Sequence, residues 1–305
     1  MMRTKETLNQ VFWAPPGAQF LPASPVVLHL RPAYRGRCHM SKLSRRTLVL
    51  TAPLLLSATL IAPARAAGKL VVGSYPANPP WENKDKNGEF EGFEVELVKE
   101  IGKRLGLDVE ISDYGFQALF AATSSGRIDA AISSITITKE RLKNQAFTQG
   151  YYDSDAALAV RKDSKIKALA DTKGAAMGAI SASVGEKWIK DNTEKYGFGD
   201  YKGYNTQEAL LLDLEAGRIG GAIGDITGFQ FAFLKMTDLT VAERISTGEE
   251  YGIMMPKGSP LLGKVNDAIT VLKKEGFIAS LYKKWLGVDP DPNGSSVQER
   301  PLPQA

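Results

Sequence analysis

Apolar positions recur with two different periods from Lys69 onward. Short runs of small and branched residues predict buried strands. These runs are 69–73, 109–111, 128–132, 156–160, 176–180 and 250–255. Apolar residues spaced three and four apart predict helices between them. The clearest helical stripe is Phe93, Leu97, Val98, Ile101 and Leu105. Strands that alternate with helices in this way predict an α/β fold.

An internal repeat of a helix, a turn and a strand lies in the middle of the chain. Ala118-Leu119 stands eight residues before Gly126-Arg127-Ile128, and Ala209-Leu210 stands eight residues before Gly217-Arg218-Ile219. The offset of 91 residues makes Ser134 and Asp225 equivalent positions at two strand ends. Open α/β sheets bind ligands beyond the carboxyl ends of their strands. The repeat therefore predicts two half-sites that face each other.

Polar side chains follow the first repeated strand. Ser133, Ser134 and Thr136 supply hydroxyls, and Thr138 is predicted to be the N-cap of a helix with Arg141 in its first turn. A cation there opposes the helix dipole, and residues that break local rules tend to mark functional sites. A guanidinium beside hydroxyls suits a carboxylate, because its fork can pair with both oxygens. The alternative is a surface arginine paired with a neighbouring acid.

The second half-site is predicted from two features. Ser183-Val184-Gly185-Glu186 has the pattern of a capping box directly after a strand, which makes either an anion site or an ordinary helix cap. Asp225 ends the second repeated strand. If Arg141 and Asp225 face each other across one cleft, the pair suits a zwitterion. Phe116, at the mouth of a helix, is either core or a ligand-stacking aromatic.

Charge and composition narrow the chemistry. The 305 residues carry a formal charge of +4, but residues 1–66 hold nine Lys/Arg and one acid, which leaves −4 for the remainder. A nucleic-acid partner is therefore not expected. The only cysteine, Cys38, and both histidines, His29 and His39, also precede residue 66. The remainder cannot form a disulfide, a Ser-His-Asp triad or a histidine-ligated zinc site.

The N-terminal region predicts export. A basic segment begins at Met40, an apolar run spans 48–61, and Ala64-Arg65-Ala66 fits a cleavage site. The run is shorter than the roughly 20 residues that a membrane span needs. We expect 40–66 to be a signal peptide, cleaved near Ala66 through either the general or the twin-arginine route, and 1–39 to be a gene-model extension. The mature protein is expected to be soluble and periplasmic.

Metal sites are not expected. Asn83-x-Asp85-x-Asn87-Gly88, with Glu94 at the last position, nearly matches a calcium loop. The match fails at its first carboxylate, and prolines precede it where a helix should enter. A hairpin turn at Asn87-Gly88 is the favoured interpretation.

The pattern from Lys69 to Leu286 resembles the family 3 extracellular solute-binding proteins, the receptors of polar amino-acid ABC importers. The most specific segments are 88–94, 126–141, 151–152, 250–253 and 282–285. The resemblance implies a bilobal periplasmic-binding-protein-like fold, with two similar α/β lobes joined by a two-segment hinge. It also implies capture of a small, polar amino acid and its delivery to an ABC permease by hinge closure. No cofactor is implied, and we expect a monomer.

The resemblance also assigns roles to residues of the first lobe. The position matching Arg141 holds the ligand α-carboxylate, assisted by those matching Ser133, Ser134 and Thr136. The aromatic matching Phe116 packs on the ligand side chain.

In the second lobe, the position matching Asp225 holds the α-ammonium. The position matching Ser183 meets the carboxylate, and Val184 beside it is also expected to line the ligand site. The departure is in the first loop, where Tyr75 replaces an acid and Asn78 replaces an aromatic. Asp225 is then expected to be the only carboxylate facing the ammonium.

These patterns predict lobe 1 from 67–155 and 250–288, lobe 2 from 156–249, and a disordered Pro-, Gly- and Ser-rich tail at 289–305. The main alternative is a metal-free enzyme, because the same fold resembles periplasmic cyclohexadienyl dehydratases. A sensor domain of a membrane receptor is a third class, disfavoured because no second membrane segment follows.

Overall fold

The computed structural model describes residues 68–305. The predicted extension, signal peptide and cleavage site lie outside these residues. The strands are β1 Gly68–Ser74, β2 Ala77–Asn78, β3 Glu82–Lys84, β4 Phe90–Glu91, β5 Leu107–Asp113, β6 Ala130–Ile132, β7 Gln145–Phe147, β8 Tyr152–Arg161, β9 Met177–Ile180, β10 Tyr201–Tyr204, β11 Gly221–Asp225, β12 Leu239–Tyr251 and β13 Met254–Pro256. The helices are α1 Phe93–Leu105, α2 Phe116–Ser124, α3 Val184–Tyr196, α4 Gln207–Glu215, α5 Ile226–Ala232, α6 Leu262–Lys274 and α7 Phe277–Leu286.

Two five-stranded sheets organise the described chain. The first has the order β5-β1-β6-β13-β7 and the second the order β10-β9-β11-β8-β12. In each sheet three neighbouring strands are mutually parallel, the fourth (β13 or β8) is antiparallel to them, and the fifth (β7 or β12) pairs antiparallel with the fourth. We call the part built on the first sheet lobe 1 and the part built on the second lobe 2. Each lobe has two apolar clusters of buried side chains. The predicted bilobal α/β fold is therefore observed.

The internal repeat predicted from the sequence is confirmed. Helix α2 and helix α4 begin and end 91 residues apart, and β6 and β11 also begin 91 residues apart. Gly126 and Gly217 both take a left-handed conformation, with φ of 68° and 71°. An L side chain rarely adopts this conformation, so glycine suits the turn in both units.

Strands β8 and β12 connect the lobes as an antiparallel pair. The predicted lobe boundaries, at 155/156 and 249/250, fall inside these two strands. Their register shifts between Ile245 and Glu249, where Gly248 is left-handed. The Asp155 carboxylate holds this irregular segment by accepting bonds from Thr247 N (2.8 Å), Gly248 N (2.9 Å) and Arg244 Nε (2.6 Å).

The prediction that 289–305 is disordered is wrong in this structure. Ser295 N donates to Asp153 Oδ2 (2.7 Å), and Ser296 Oγ donates to the carbonyl of Tyr151 (2.9 Å). Lys273 Nζ donates to the carbonyl of Gln298 (2.9 Å). The tail has little apolar surface, which is why its composition indicated disorder. Polar partners on β8, just before β8 and on α6 order it instead.

One local prediction changes, and the predicted hairpin turn at Asn87-Gly88 is confirmed. Thr138 does accept a bond from Arg141 N (3.2 Å), but the helix that follows is a single 3₁₀ turn, Arg141–Lys143. So short a turn has little dipole, and Arg141 does not oppose one. In the calcium-like loop, Asp85 caps a hairpin turn by accepting bonds from Asn87 N and Glu89 N. Within 68–305 no group of three or more His, Cys, Asp or Glu side chains could hold a metal ion.

Candidate functional site

A cavity lies between the lobes, at the carboxyl ends of β6 and β11. Its volume is roughly 670 Å³, including the space open to solvent at its mouth. All ten residues predicted from the sequence line it, namely Tyr75, Asn78, Phe116, Ser133, Ser134, Thr136, Arg141, Ser183, Val184 and Asp225.

Two serines after β6 form the lobe 1 floor of the cavity. Ser133 Oγ accepts a bond from Tyr75 N (2.9 Å), so this hydroxyl holds the β1 loop in place. Ser134 has a φ of 44°, which is uncommon for a residue other than glycine. Its N–H donates to both oxygens of Glu94, at 3.0 Å each, and its Oγ accepts from Asn78 Nδ2 at 3.0 Å. Strain of this kind clusters at binding sites, because the surrounding bonds hold it.

Arg141 reaches across the cavity from lobe 1 to lobe 2. Its Nη1 donates to the carbonyl of Thr136 (2.8 Å), and its Nη2 donates to the carbonyl of Ala182 (3.1 Å). The guanidinium lies 4.9 Å from the centre of the Phe120 ring. Burial lowers the pKa of Arg141 to about 10, which still leaves it protonated at neutral pH. Two of its five N–H groups are used, and three remain for a ligand.

The N-terminus of α3 lies opposite. Ser183 Oγ accepts a bond from Glu186 N (3.1 Å), as a capping box requires, but Glu186 Oε2 accepts from Ala182 N (2.6 Å) rather than from the cap residue. Val184 and Gly185 also line the cavity. The first N–H groups of a helix have no intrahelical acceptor and attract anions. Gly185 is needed here, because a Cβ would lie 2.5 Å from the carbonyl oxygen of Ile223.

Asp225 is both a helix cap and a lining residue. Its Oδ2 accepts bonds from Gly228 N (2.7 Å), inside α5, and from Trp81 Nε1 (3.0 Å) of lobe 1. Its Oδ1 accepts from Ser154 Oγ (2.6 Å) and Tyr251 Oη (2.7 Å). The carboxylate therefore joins the two lobes at the hinge.

Two buried carboxyl groups, Glu82 and Glu94, support the cavity floor from behind. Asn78 Nδ2 donates to Glu82 Oε1 (2.8 Å), and Tyr151 Oη donates to Glu94. Both acids are fully buried. Burial and the adjacent Glu94 raise the pKa of Glu82 well above its usual range, and burial also raises that of Glu94. The amide of Asn78 is thus engaged with the buried acids.

Sequence reasoning missed several lining residues. Gln207 N donates to Tyr75 Oη (3.1 Å), which makes a further bond between the lobes. Glu249 and Tyr251 line the cavity from β12. Burial raises the pKa of the Glu249 carboxyl. The consecutive acids Glu249 and Glu250 at the predicted hinge were a signal, but the sequence did not show which of them faces inward. The other lining residues are Ala156, Ile180, Gly185, Leu210, Ile223, Gly224 and Phe229.

Two α/β lobes with a cavity between them define the class of bilobal periplasmic binding proteins. Residues 70–288 match the family model of the bacterial extracellular solute-binding proteins, family 3, and the chain belongs to that family. Within 68–305 no helix has the length and apolarity needed to cross a membrane.

Individual relatives support the same family. The chain is 30% identical to the L-cystine-binding protein TcyJ of Escherichia coli K12 over 234 residues, which are 75% of this chain and 87% of TcyJ. It is 31% identical to the L-arginine-binding protein of Pseudomonas aeruginosa over 258 residues, 80% of this chain and 98% of that protein.

Solved structures show the same architecture. An ancestral arginine-binding protein bound to arginine superposes with a TM-score of 0.69 at 33% identity, covering 72% of this chain and 99% of that one. The arginine-, lysine-, histidine-binding protein ArtJ of Geobacillus stearothermophilus superposes with a TM-score of 0.69 at 31% identity, covering 74% and 98%.

Proposed function

We propose that this protein captures a zwitterionic amino acid between its lobes and delivers it to an ABC permease by hinge closure. The observation that carries the proposal is the pairing of charges across the cavity. Arg141 and the N-terminus of α3 offer donors to a carboxylate, and Asp225 offers a carboxylate to an ammonium. Phe116 and Tyr75 line the cavity and form an aromatic wall for the ligand side chain. Their rings pack edge to face, with ring centres 6.5 Å apart.

The relatives favour an amino acid as the ligand. Proteins named for binding cystine, arginine and histidine are among them. Tyr75 and Asn78, the loop residues expected to differ from the family pattern, line this cavity. The amino acid that this protein prefers therefore need not be one that a relative binds.

The direct test is binding by the purified mature protein. A thermal-shift screen of the twenty standard amino acids, L-cystine and opines identifies candidates, and calorimetry measures their affinity. The proposal expects at least one saturable amino-acid ligand. Small-angle scattering with that ligand is expected to show compaction. Absence of binding across the whole panel contradicts the proposal.

We also propose that the protein performs no chemistry, acts as a monomer, and is periplasmic after cleavage near Ala66. Incubation with prephenate and arogenate tests the first point, because a cyclohexadienyl dehydratase would consume them. Light scattering measures the mass of the protein in solution. N-terminal sequencing of the exported protein should begin near Ala67, and a start before Met40 would contradict the assignment of both leader segments.

A further inference from the structure

Three charged side chains line the cavity among residues 68–305: Arg141, Asp225 and Glu249. Glu249 comes from β12, where the chain passes between the lobes. Its neighbour Glu250 does not line the cavity; its Oε1 lies 3.9 Å from Arg300 Nε, at the C-terminal tail. Successive side chains of a strand point to opposite faces, so one acid of the pair faces the ligand site and the other faces away.

The two cavity carboxylates differ in their remaining capacity to accept bonds. An ionised carboxylate has about four acceptor positions. Trp81, Ser154, Gly228 and Tyr251 all donate to Asp225. An ammonium must displace one of these donors to reach Asp225.

Glu249 has more room for a ligand. Its Oε2 accepts one bond from Thr136 Oγ1 (2.6 Å), and its Oε1 accepts one from Thr247 Oγ1 (3.0 Å). About two acceptor positions remain.

Thr136 places this carboxylate next to the cation. The carbonyl of Thr136 accepts from Arg141 Nη1, and its hydroxyl donates to Glu249. One residue therefore positions both a guanidinium and a carboxylate at the cavity. The carboxylate and ammonium of an α-amino acid are attached to the same carbon atom, so their partners must also be neighbours.

We propose that Glu249 is a second carboxylate of the amine subsite and a determinant of the preference for α-amino acids over their deaminated analogues. This proposal rests on the proposed function and deepens it. It replaces the expectation that Asp225 is the only acid facing the ammonium.

The test compares Glu249→Gln with the matched control Glu250→Gln, which removes the same charge from the adjacent residue. The probes are the twenty standard L-amino acids and L-cystine, followed by the α-deaminated analogue of the tightest binder, such as 5-guanidinovaleric acid for L-arginine. Calorimetry gives each affinity, directly or by competition. Loss of one charged hydrogen bond should weaken the amino acid by about tenfold to a hundredfold in Glu249→Gln. The analogue should bind with nearly unchanged affinity, and Glu250→Gln should resemble the wild type for both.

Other outcomes overturn the proposal in distinguishable ways. An equal loss for the amino acid and its analogue would show that Glu249 only braces Thr136 and Thr247. Unchanged affinities in Glu249→Gln would show that it has no part in binding. A wild-type protein that binds no probe would overturn the proposed function as well. Melting temperatures without ligand check folding, and Glu249→Asp, which keeps the charge, should retain part of the discrimination if Glu249→Gln does not fold.

Discussion

Arg141→Ala tests whether the guanidinium at the centre of the cavity binds the ligand carboxylate. The guanidinium spends two N–H groups on the carbonyls of Thr136 and Ala182, which leaves three to meet a carboxylate. Removing one partner of a desolvated charge pair costs roughly 2–5 kcal/mol, or about 30-fold to several-thousand-fold in affinity. We expect a loss of binding in that range. Arg141→Lys should recover only part of it, because an ammonium cannot reproduce a bidentate fork.

Stability should respond differently from binding. Burial lowers the pKa of Arg141 to about 10, so the folded protein disfavours this charge when no ligand is bound. Its removal should therefore leave the melting temperature of the free protein unchanged or slightly higher. The loss of the bonds to the carbonyls of Thr136 and Ala182, and of the contact with the Phe120 ring, acts in the opposite direction, so any net change should be small.

Calorimetry with the tightest amino-acid ligand and thermal melting of the free protein separate the two effects. Arg127→Ala is the matched control, because Arg127 is an exposed arginine of the same lobe. Near-native affinity in Arg141→Ala would refute the reasoning. A large fall in melting temperature would also refute it, since weak binding would then follow from unfolding.

Two further predictions concern the parts of lobe 1 behind the cavity. The pKa of Glu82 is raised above the ordinary 4.5, so the folded protein keeps a proton that the unfolded chain loses, and stability falls as the pH rises through this interval. Glu82→Gln has no such proton to lose. The melting temperature of Glu82→Gln minus that of the wild type should therefore be larger at pH 8 than at pH 5. An equal difference at the two pH values would contradict the raised pKa of Glu82. Deletion of 289–305 removes an acceptor from the buried Lys273, which should lower the melting temperature by roughly 2–12 °C. An unchanged value would indicate that the tail does not pack in solution.

Local sequence determined much of this fold. The 91-residue repeat predicted two helix–turn–strand units because glycine turns and apolar periods depend only on neighbouring residues. Ligands bind beyond the carboxyl ends of strands in α/β sheets, so the sequence alone assigned Ser134 and Asp225 to one cavity. Ser183 was recognisable as a cap because a cap bond spans three residues.

Tertiary structure decided the features that depend on distant partners. Trp81 and Asp225 are 144 residues apart in the chain, so neither the bond between them nor the saturation of the carboxylate has a local signal. Asn78 turns toward Glu82 because that acid is buried beside Glu94. The register of β12 is irregular, so its pairing with β8 decides that Glu249, and not Glu250, faces the cavity. A slip of one residue in such a strand exchanges the two faces, and only the paired structure removes that ambiguity.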